Sequence, residues 1–248
     1  MSRFAISGTS SGLGKYLKKN LNSYKLHRNL KNINIINKND TIIHCAFNKK
    51  KEIKYNELFN YYSDNFLFTS SLLKTKHRKF IYISSIDVYN DIKIKKENKN
   101  IDYNINSIYS FSKALSESLI QNLTENFLIL RVSSILSQNM KQNNITRIIN
   151  NGSKNITVSK NSVYNFVLAS DILNFINFAV KNDLKGIYNL SSSKNIKLSS
   201  ICRMFNKKIS YGNFFYNCGN INQDKTRKIT NIFNKTSREI LKNFFYNV

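Results

Sequence analysis

Apolar residues along this chain gather in short runs set between polar punctuation. Arg3–Ser7 (RFAIS), Tyr24–Arg28 (YKLHR) and Asp40–Phe47 (DTIIHCAF) read as short strands, the first and third of them buried. The run opening at Phe80 (FIYISSIDVY, to Tyr89) is another, and Phe127–Leu136 (FLILRVSSIL) and Gly186–Ser193 (GIYNLSSS) supply two more. Between them, apolar residues recur at helical intervals in Lys15–Leu21, in Asn65–Lys74 (NFLFTSSLLK) and around Ser107–Glu117 (SIYSFSKALSE). A last helix is expected at Arg238–Phe245, capped by Thr236 or Ser237. Strands alternating with helices predict an α/β protein with a parallel sheet covered by helices.

Composition adds limits. A chain of 248 residues can hold one large α/β domain with a smaller lobe and bury a sizeable core. The first strand starts at Arg3, with no charged-then-apolar leader before it, and the apolar stretch 165–180 is broken by Asp171, Asn174 and Asn177, so no membrane span is expected. Cys45, Cys202 and Cys218 are scattered, and His27, His44 and His77 form no ligand motif, so a reducing cytoplasm and no metal are expected.

The formal charge of +25 and the pI near 10.0 raise the question of nucleic acid. The lysines, however, are spread among asparagine and isoleucine, and proline is absent, which reads as drift toward AT-rich codons. Clusters at Lys49–Lys51 and Lys93–Lys96 fall in expected loops, as do the lysine–asparagine patches 30–39 and 91–106. A solvated surface is the expectation, with no specific nucleic-acid partner; such a positive field would also draw in diphosphates. Phe214–Asn220 (FFYNCGN) is the one aromatic patch that hints at base stacking, and it reads more simply as core.

Candidate chemistry begins at the first turn. Gly8, Gly12 and Gly14 stand in GTSSGLG between a strand and a helix, and the chain has only seven glycines. Gly8, Ser10, Ser11, Gly12, Leu13 and Gly14 would cradle a dinucleotide pyrophosphate at the helix N-terminus. His27 and Arg28 end the second strand where an adenosine ribose would lie; an arginine and no carboxylate there favours NADP over NAD. Small Cys45 and Ala46 would let an adenine lie flat. Ser84 or Ser85 ends an apolar strand, and Tyr109 and Lys113 lie one helical turn apart on one face. An ammonium beside a phenol favours the phenolate; moving tyrosine from about 10 to about 7 takes about 4 kcal/mol of differential stabilisation. Serine, tyrosine and lysine together suit hydride transfer at a carbon–oxygen centre.

The ordered motifs resemble the extended short-chain dehydrogenase/reductases, in particular the NAD(P)-dependent epimerase/dehydratase family that works on nucleotide sugars. The likeness runs over roughly residues 3–200. It rests on the glycine turn, DTIIHCAF, the Asn65–Thr69 helix, the Ser85 strand, Tyr109 with Lys113, LRVSSIL, FVLASDIL with Asp171, and GIYNLSSS. The resemblance implies a Rossmann-type doubly wound parallel sheet with a small C-terminal substrate lobe. Residues 1–136, completed by roughly 164–193, would form the NAD(P)-binding core; 137–163 and 194–248 would form the lobe. It implies Ser85, Tyr109 and Lys113 as the catalytic set, with Tyr109, Lys113 and Asn65 also at the cofactor. Ser84, Asp87, Ser134, Tyr164 and Arg227 are candidates for the nucleotide sugar, and Arg203, Lys225 and Arg227 for its diphosphate. A homodimer through the catalytic helix and its predecessor is implied as well.

Departures from the family pattern narrow the function. The glycine spacing is that of the shorter branch of the superfamily, over an unchanged span. Family dehydratases carry an Asp-Glu pair after the catalytic hydroxyl residue; here Ile86 and Asp87 stand there, which disfavours dehydration. Tyr164 and Asn165 replace an Arg-Asp pair before the Phe-Val motif. The segment Arg28–Asp40 is short, as in the dTDP-4-dehydrorhamnose reductase branch. A 4-keto-sugar reductase using NADP (or NAD) is therefore expected, with an NAD-dependent epimerase as the alternative and a non-catalytic NAD(P)-binding protein more remote.

Overall fold

The computed structural model of the chain describes residues 3–29, 31–48, 50, 52–90, 94–99, 101, 107–138, 144–151 and 155–246. The lysine clusters at 49–51 and 93–96 and the patch 91–106 lie partly outside these residues.

Six strands make one parallel sheet. They are β1 (Phe4–Ser7), β2 (Ser23–Leu26), β3 (Thr41–His44), β4 (Lys79–Ser85), β5 (Phe127–Val132) and, further along the chain, β8 (Gly186–Leu190). The order across the sheet is β8-β5-β4-β3-β1-β2, with every neighbouring pair parallel. The run Phe127–Leu136 divides at Ser133. Beyond it, β6 (Ser134–Leu136) leaves the sheet and pairs instead with β7 (Phe166–Leu168).

Strand side chains alternate between two faces, and both faces are covered, as the fold class requires. Phe4, Ile6, Ile43, Ile81, Ile83, Leu128 and Leu130 pack under helices α1 (Gly12–Asn20) and α6 (Ala169–Lys181). Ala5, Ile42, Phe80, Tyr82 and Ile129 face α3 (Phe68–Leu73) and α4 (Ile108–Leu123). The helix expected over 65–74 starts earlier, at α2 (Leu58–Tyr62), and passes through one π-helical turn (Ser63–Leu67) into α3. Between β2 and β3 the described residues form a single 3₁₀ turn (Ile33–Ile35), where a doubly wound half often has a helix and another strand.

A separate apolar cluster joins Leu136, Ile145, Ile148, Phe166, Ile196 and Ile201 to Ile240 and Leu241 of the last helix, α9 (Ser237–Tyr246). Thr236 caps α9 with a capping box: its hydroxyl accepts the Glu239 N–H at 3.2 Å while Glu239 accepts the Thr236 N–H at 2.7 Å. Not all of the C-terminal segment belongs to that cluster. Residues around α8 (Asp224–Arg227) return to the sheet edge, where Thr226 donates to the Asn189 carbonyl at 2.8 Å and Phe233 packs against Phe175. No helix among the described residues is long and apolar enough to cross a membrane.

Candidate active site

The chain runs outward from β1 to β2 and then crosses back to β3 on the other side of β1. That reversal opens a crevice at the carboxyl ends of the strands, where open α/β sheets take their ligands. A cleft of about 550 Å³ lies there. Its walls come from residues at or directly after the strand ends: the Gly8 turn after β1, Cys45 to Phe47 after β3, Ser85 to Asp87 ending β4, and Ser133 to Ile135 after β5. Tyr109 and Lys113 enter from α4, and Tyr216 from the C-terminal segment.

At the first turn the glycines are required by geometry. Gly8 has φ +72°, and a Cβ there would stand 2.6 Å from the Ala46 nitrogen, so the turn packs directly on the end of β3. Gly12, at φ +56°, would put a Cβ into open space, toward nothing within 4 Å. Ser11, the N-cap of α1, makes no side-chain cap, and the first turn holds no acidic residue. The leading amides of α1 are therefore not satisfied by a local side chain, and the positive end of the helix is uncompensated, which suits an anionic ligand.

Ser7, 0% exposed at the end of β1, organises the next strand end. Its Oγ accepts the N–H groups of Cys45 and Ala46, each at 3.1 Å, and lies 2.6 Å from His44 Nδ1. Burial raises the Cys45 thiol to about 12, so it stays protonated.

Ser84 and Ser85, alternatives in the sequence, part company in the structure. Ser84 turns its hydroxyl inward and donates to Glu117 at 2.5 Å. Glu117 in turn accepts from Arg131 at 2.7 Å, in a pair that is almost fully buried behind the cleft. Although Ser84 borders the cleft, its hydroxyl is thus engaged away from any substrate. Ser85 keeps its oxygen at the cleft beside Tyr109, accepting the Asp87 N–H at 3.2 Å. Tyr109 is half-buried, its ring edge-on to Phe47 at 5.2 Å.

Lys113 is held from the strand beneath it, and Tyr109 is shifted upward by its surroundings. Lys113 donates to the Ile83 carbonyl at 2.6 Å and lies over the rings of Phe47 and Tyr82, at 4.0 and 4.5 Å. Burial first, and the Asp87 carboxylate second, hold the Tyr109 phenol well above the usual tyrosine range; the Ser85 hydrogen bond pulls partly the other way. The phenol is therefore protonated at neutral pH. One turn of helix sets the spacing of the two residues, but the lysine's direction is set by β4 carbonyls across the interface.

Arg28 reaches the cleft from the end of β2, yet its guanidinium pairs with Asp64 at 2.9 Å. Ser10, Ser11, Leu13, Cys45, Ala46 and Ser134 line the cleft. Asn65 does not: it is 1% exposed, and its carboxamide holds the Asn48 backbone, accepting the N–H at 2.6 Å and donating to the carbonyl. Tyr164 lies behind the cleft wall, stacked on Phe166 and 5.1 Å from Tyr216. Arg227 and Arg203 are exposed on α8 and on α7 (Leu198–Met204), away from the cleft, and Lys225 donates to the Ile187 carbonyl at the sheet edge. The diphosphate role expected of these three has no support in their placement.

Tyr216 is the site residue that the sequence reading missed. It sits in FFYNCGN, where its ring read as core, yet it lines the cleft with Asp87, whose charge is felt by its phenol. Phe47, Ile83, Val132, Ser133, Ile135 and Ser137 also line the cleft without having been singled out. The tyrosine-rich composition hid Tyr216, and nothing local marks it.

Solved structures share this fold. Over the full length of both chains, a dTDP-4-dehydrorhamnose reductase of Bacillus anthracis, solved with NADP, superposes with a TM-score of 0.83 at 21% identity. The dTDP-4-dehydrorhamnose reductase of Yersinia enterocolitica gives 0.79 at 20% identity over 98% of each chain. A UDP-glucuronic acid 4-epimerase of Bacillus cereus, solved with a UDP-sugar and NAD, gives 0.77 at 15% identity over 94% of each. Comparison with the curated proteins finds no match. The family model of the NAD dependent epimerase/dehydratase family matches residues 8–191. With that match spanning most of the chain, and the glycine turn, Ser85, Tyr109 and Lys113 all inside it, this protein belongs to the NAD dependent epimerase/dehydratase family.

Proposed function

We propose that the protein is an NAD(P)-dependent oxidoreductase of a nucleotide-activated sugar, and that it reduces a 4-keto-sugar. The observation that carries this reading is the meeting of Ser85, Tyr109 and Lys113 in one cleft with the Gly8–Gly14 turn. The uncapped α1 N-terminus and the open space at Gly12 fit a dinucleotide pyrophosphate. Arg28 would read a 2′-phosphate after exchanging Asp64 for it, Cys45 and Ala46 would flank the adenine, and Lys113 would hold the nicotinamide ribose. When bound, NADPH or NADH supplies a hydride.

The chain's own residues handle the oxygen. Ser85 donates a hydrogen bond to the sugar carbonyl and orients it. Tyr109 gives its proton to that oxygen as the carbon is reduced, so the product is an alcohol and the phenol is left to be reprotonated. A tyrosine held protonated by burial and by Asp87 is in the form that this direction needs. Ile86, 2% exposed beside Ser85, offers no acid for loss of water. The cluster around Ile148 and Ile201, drawn largely from 137–163 and 194–248 and joined to the core at Leu136 and Phe166, would be the core of the substrate lobe. Exposed Leu58, Phe59, Tyr62 and Leu67 on the α2–α3 helix, with Phe111 and Leu123 on α4, supply apolar surface for a homodimer. A cytoplasmic location goes with this reading.

Native mass spectrometry of the purified protein, alone and with NADPH or NADH, tests it. Reversible uptake of NADPH that weakens in Arg28→Ala supports the reductase. Retained, non-exchanging NAD would replace it with the epimerase reading, and failure to take up any dinucleotide would overturn both.

A further inference from the structure

Beyond Tyr109 the cleft has a second wall, formed by Asp87 and Tyr216. Asp87 is fixed two residues past Ser85 by the hydrogen bond from its N–H to the Ser85 oxygen. Tyr216 is fixed from the other end of the sequence. Its N–H donates to Ser162 Oγ at 3.0 Å, its carbonyl accepts from Val163 N–H at 2.8 Å, and its ring lies against Tyr164. Its phenol lines the same cleft as Asp87, whose charge raises it, and toward a carboxylate a phenol can only donate. A carboxylate offers about four acceptor sites, so one phenol leaves others open to the cleft.

No lysine or arginine among the described residues forms an ion pair with Asp87. The ammonium in the cleft, that of Lys113, is directed at the Ile83 carbonyl. The negative charge is therefore felt by what surrounds it, and both phenols beside it, Tyr109 and Tyr216, are shifted upward with Asp87 as a contributing cause after burial.

We infer that Asp87, oriented by Tyr216, is the specificity-determining residue of the sugar subsite: it accepts hydroxyls of a neutral sugar and excludes one that carries a carboxylate. This rests on the proposal that the cleft takes a nucleotide sugar. A hydroxyl next to the reacting carbon can donate to Asp87, whereas a uronate would set two like charges side by side. At about 5 Å and an effective dielectric of about 20, that repulsion corresponds to discrimination on the order of 100-fold.

The experiment measures binding to the NADP-loaded protein by calorimetry, using sugars that cannot be reduced. The probes are UDP-glucose against UDP-glucuronic acid, and dTDP-glucose against dTDP-glucuronic acid. The neutral sugar is expected to bind at least about 10-fold more tightly in the wild type, and the ratio to fall below about 3-fold in Asp87→Asn, where the charge is gone. Tyr216→Phe, which removes a hydrogen bond and leaves the charge, keeps the preference. Equal affinities in the wild type, or a ratio that survives Asp87→Asn, would overturn the inference and leave the nucleotide-sugar reading standing. If the protein binds dinucleotide but none of the four sugars, the nucleotide-sugar reading falls and takes this inference with it.

Discussion

His44 makes the fold sensitive to mild acid, and the size of the effect follows from its hydrogen bonds. Ser7 Oγ already accepts two backbone N–H groups, so its proton points to His44 Nδ1. His44 Nε2 then carries the ring hydrogen and donates to Thr69 Oγ1 at 2.9 Å, while Thr69 donates onward to the Asn65 carbonyl at 2.7 Å. The chain of donors runs one way, and a proton on Nδ1 would break it. Burial, with smaller contributions from Lys113 and Arg28, lowers the His44 pKa to about 3. In the unfolded chain the same ring titrates near 6.5. Between those values the unfolded state binds a proton that the native state refuses, so stability rises with pH and is lost as pH falls from 6.5 toward 3. From pH 7 to pH 5 the loss is about 2 kcal/mol for this one side chain, which is 0% exposed and so unscreened. Urea unfolding followed by far-ultraviolet circular dichroism at the two pH values measures it, with His44→Gln as the comparison. In the variant most of the slope should vanish, leaving the contribution of His77, whose pKa burial also lowers. A wild-type stability unchanged within about 0.5 kcal/mol, or an equal slope in His44→Gln, would refute the assignment of a neutral, one-way hydrogen-bonded ring.

Glu117→Gln leaves the Arg131 guanidinium buried without its counter-charge and should cost about 3–5 kcal/mol in urea unfolding. Replacing both partners, as in Glu117→Leu with Arg131→Met, should cost less than the single change, and a double variant that costs the sum would count against a buried pair. Gly8→Ala forces a side chain into φ +72° and against the Ala46 backbone, so it should lose at least about 1–2 kcal/mol and abolish dinucleotide uptake, both read by thermal shift with and without NADPH.

Much of the fold was legible because it is written in short-range patterns. Apolar runs marked the strands to within a few residues, and three glycines between a strand and a helix marked the first turn. Tyr109 and Lys113 could be paired because four residues on any helix make one turn. Boundaries slipped where tertiary contacts intervene. The run Phe127–Leu136 looked like one strand, but beyond Ser133 the chain finds a different partner in β7. The helix at 65–74 was seen only from Asn65 because its earlier turns, Leu58 to Tyr62, bury Tyr61 but expose Leu58, Phe59 and Tyr62.

For the candidate site, the sequence by itself determined which residues stand at strand ends, and hence that Gly8, Cys45 and Ser85 meet along one edge of a parallel sheet. Only the tertiary structure decided how their neighbours use their hydrogen-bonding groups. Ser84 could not be told from Ser85 until Glu117 was seen beneath it, and Lys113 could not be aimed until β4 offered the Ile83 carbonyl. Asn65 looked like a cofactor ligand until Asn48 proved to occupy it, and Tyr216 looked like core until it met Asp87 across the cleft. The physical reason is the same in each case. Secondary structure follows from periodicities of a few residues, whereas a polar side chain's direction is set by whichever partner the fold brings within about 3 Å, and that partner is distant in the chain.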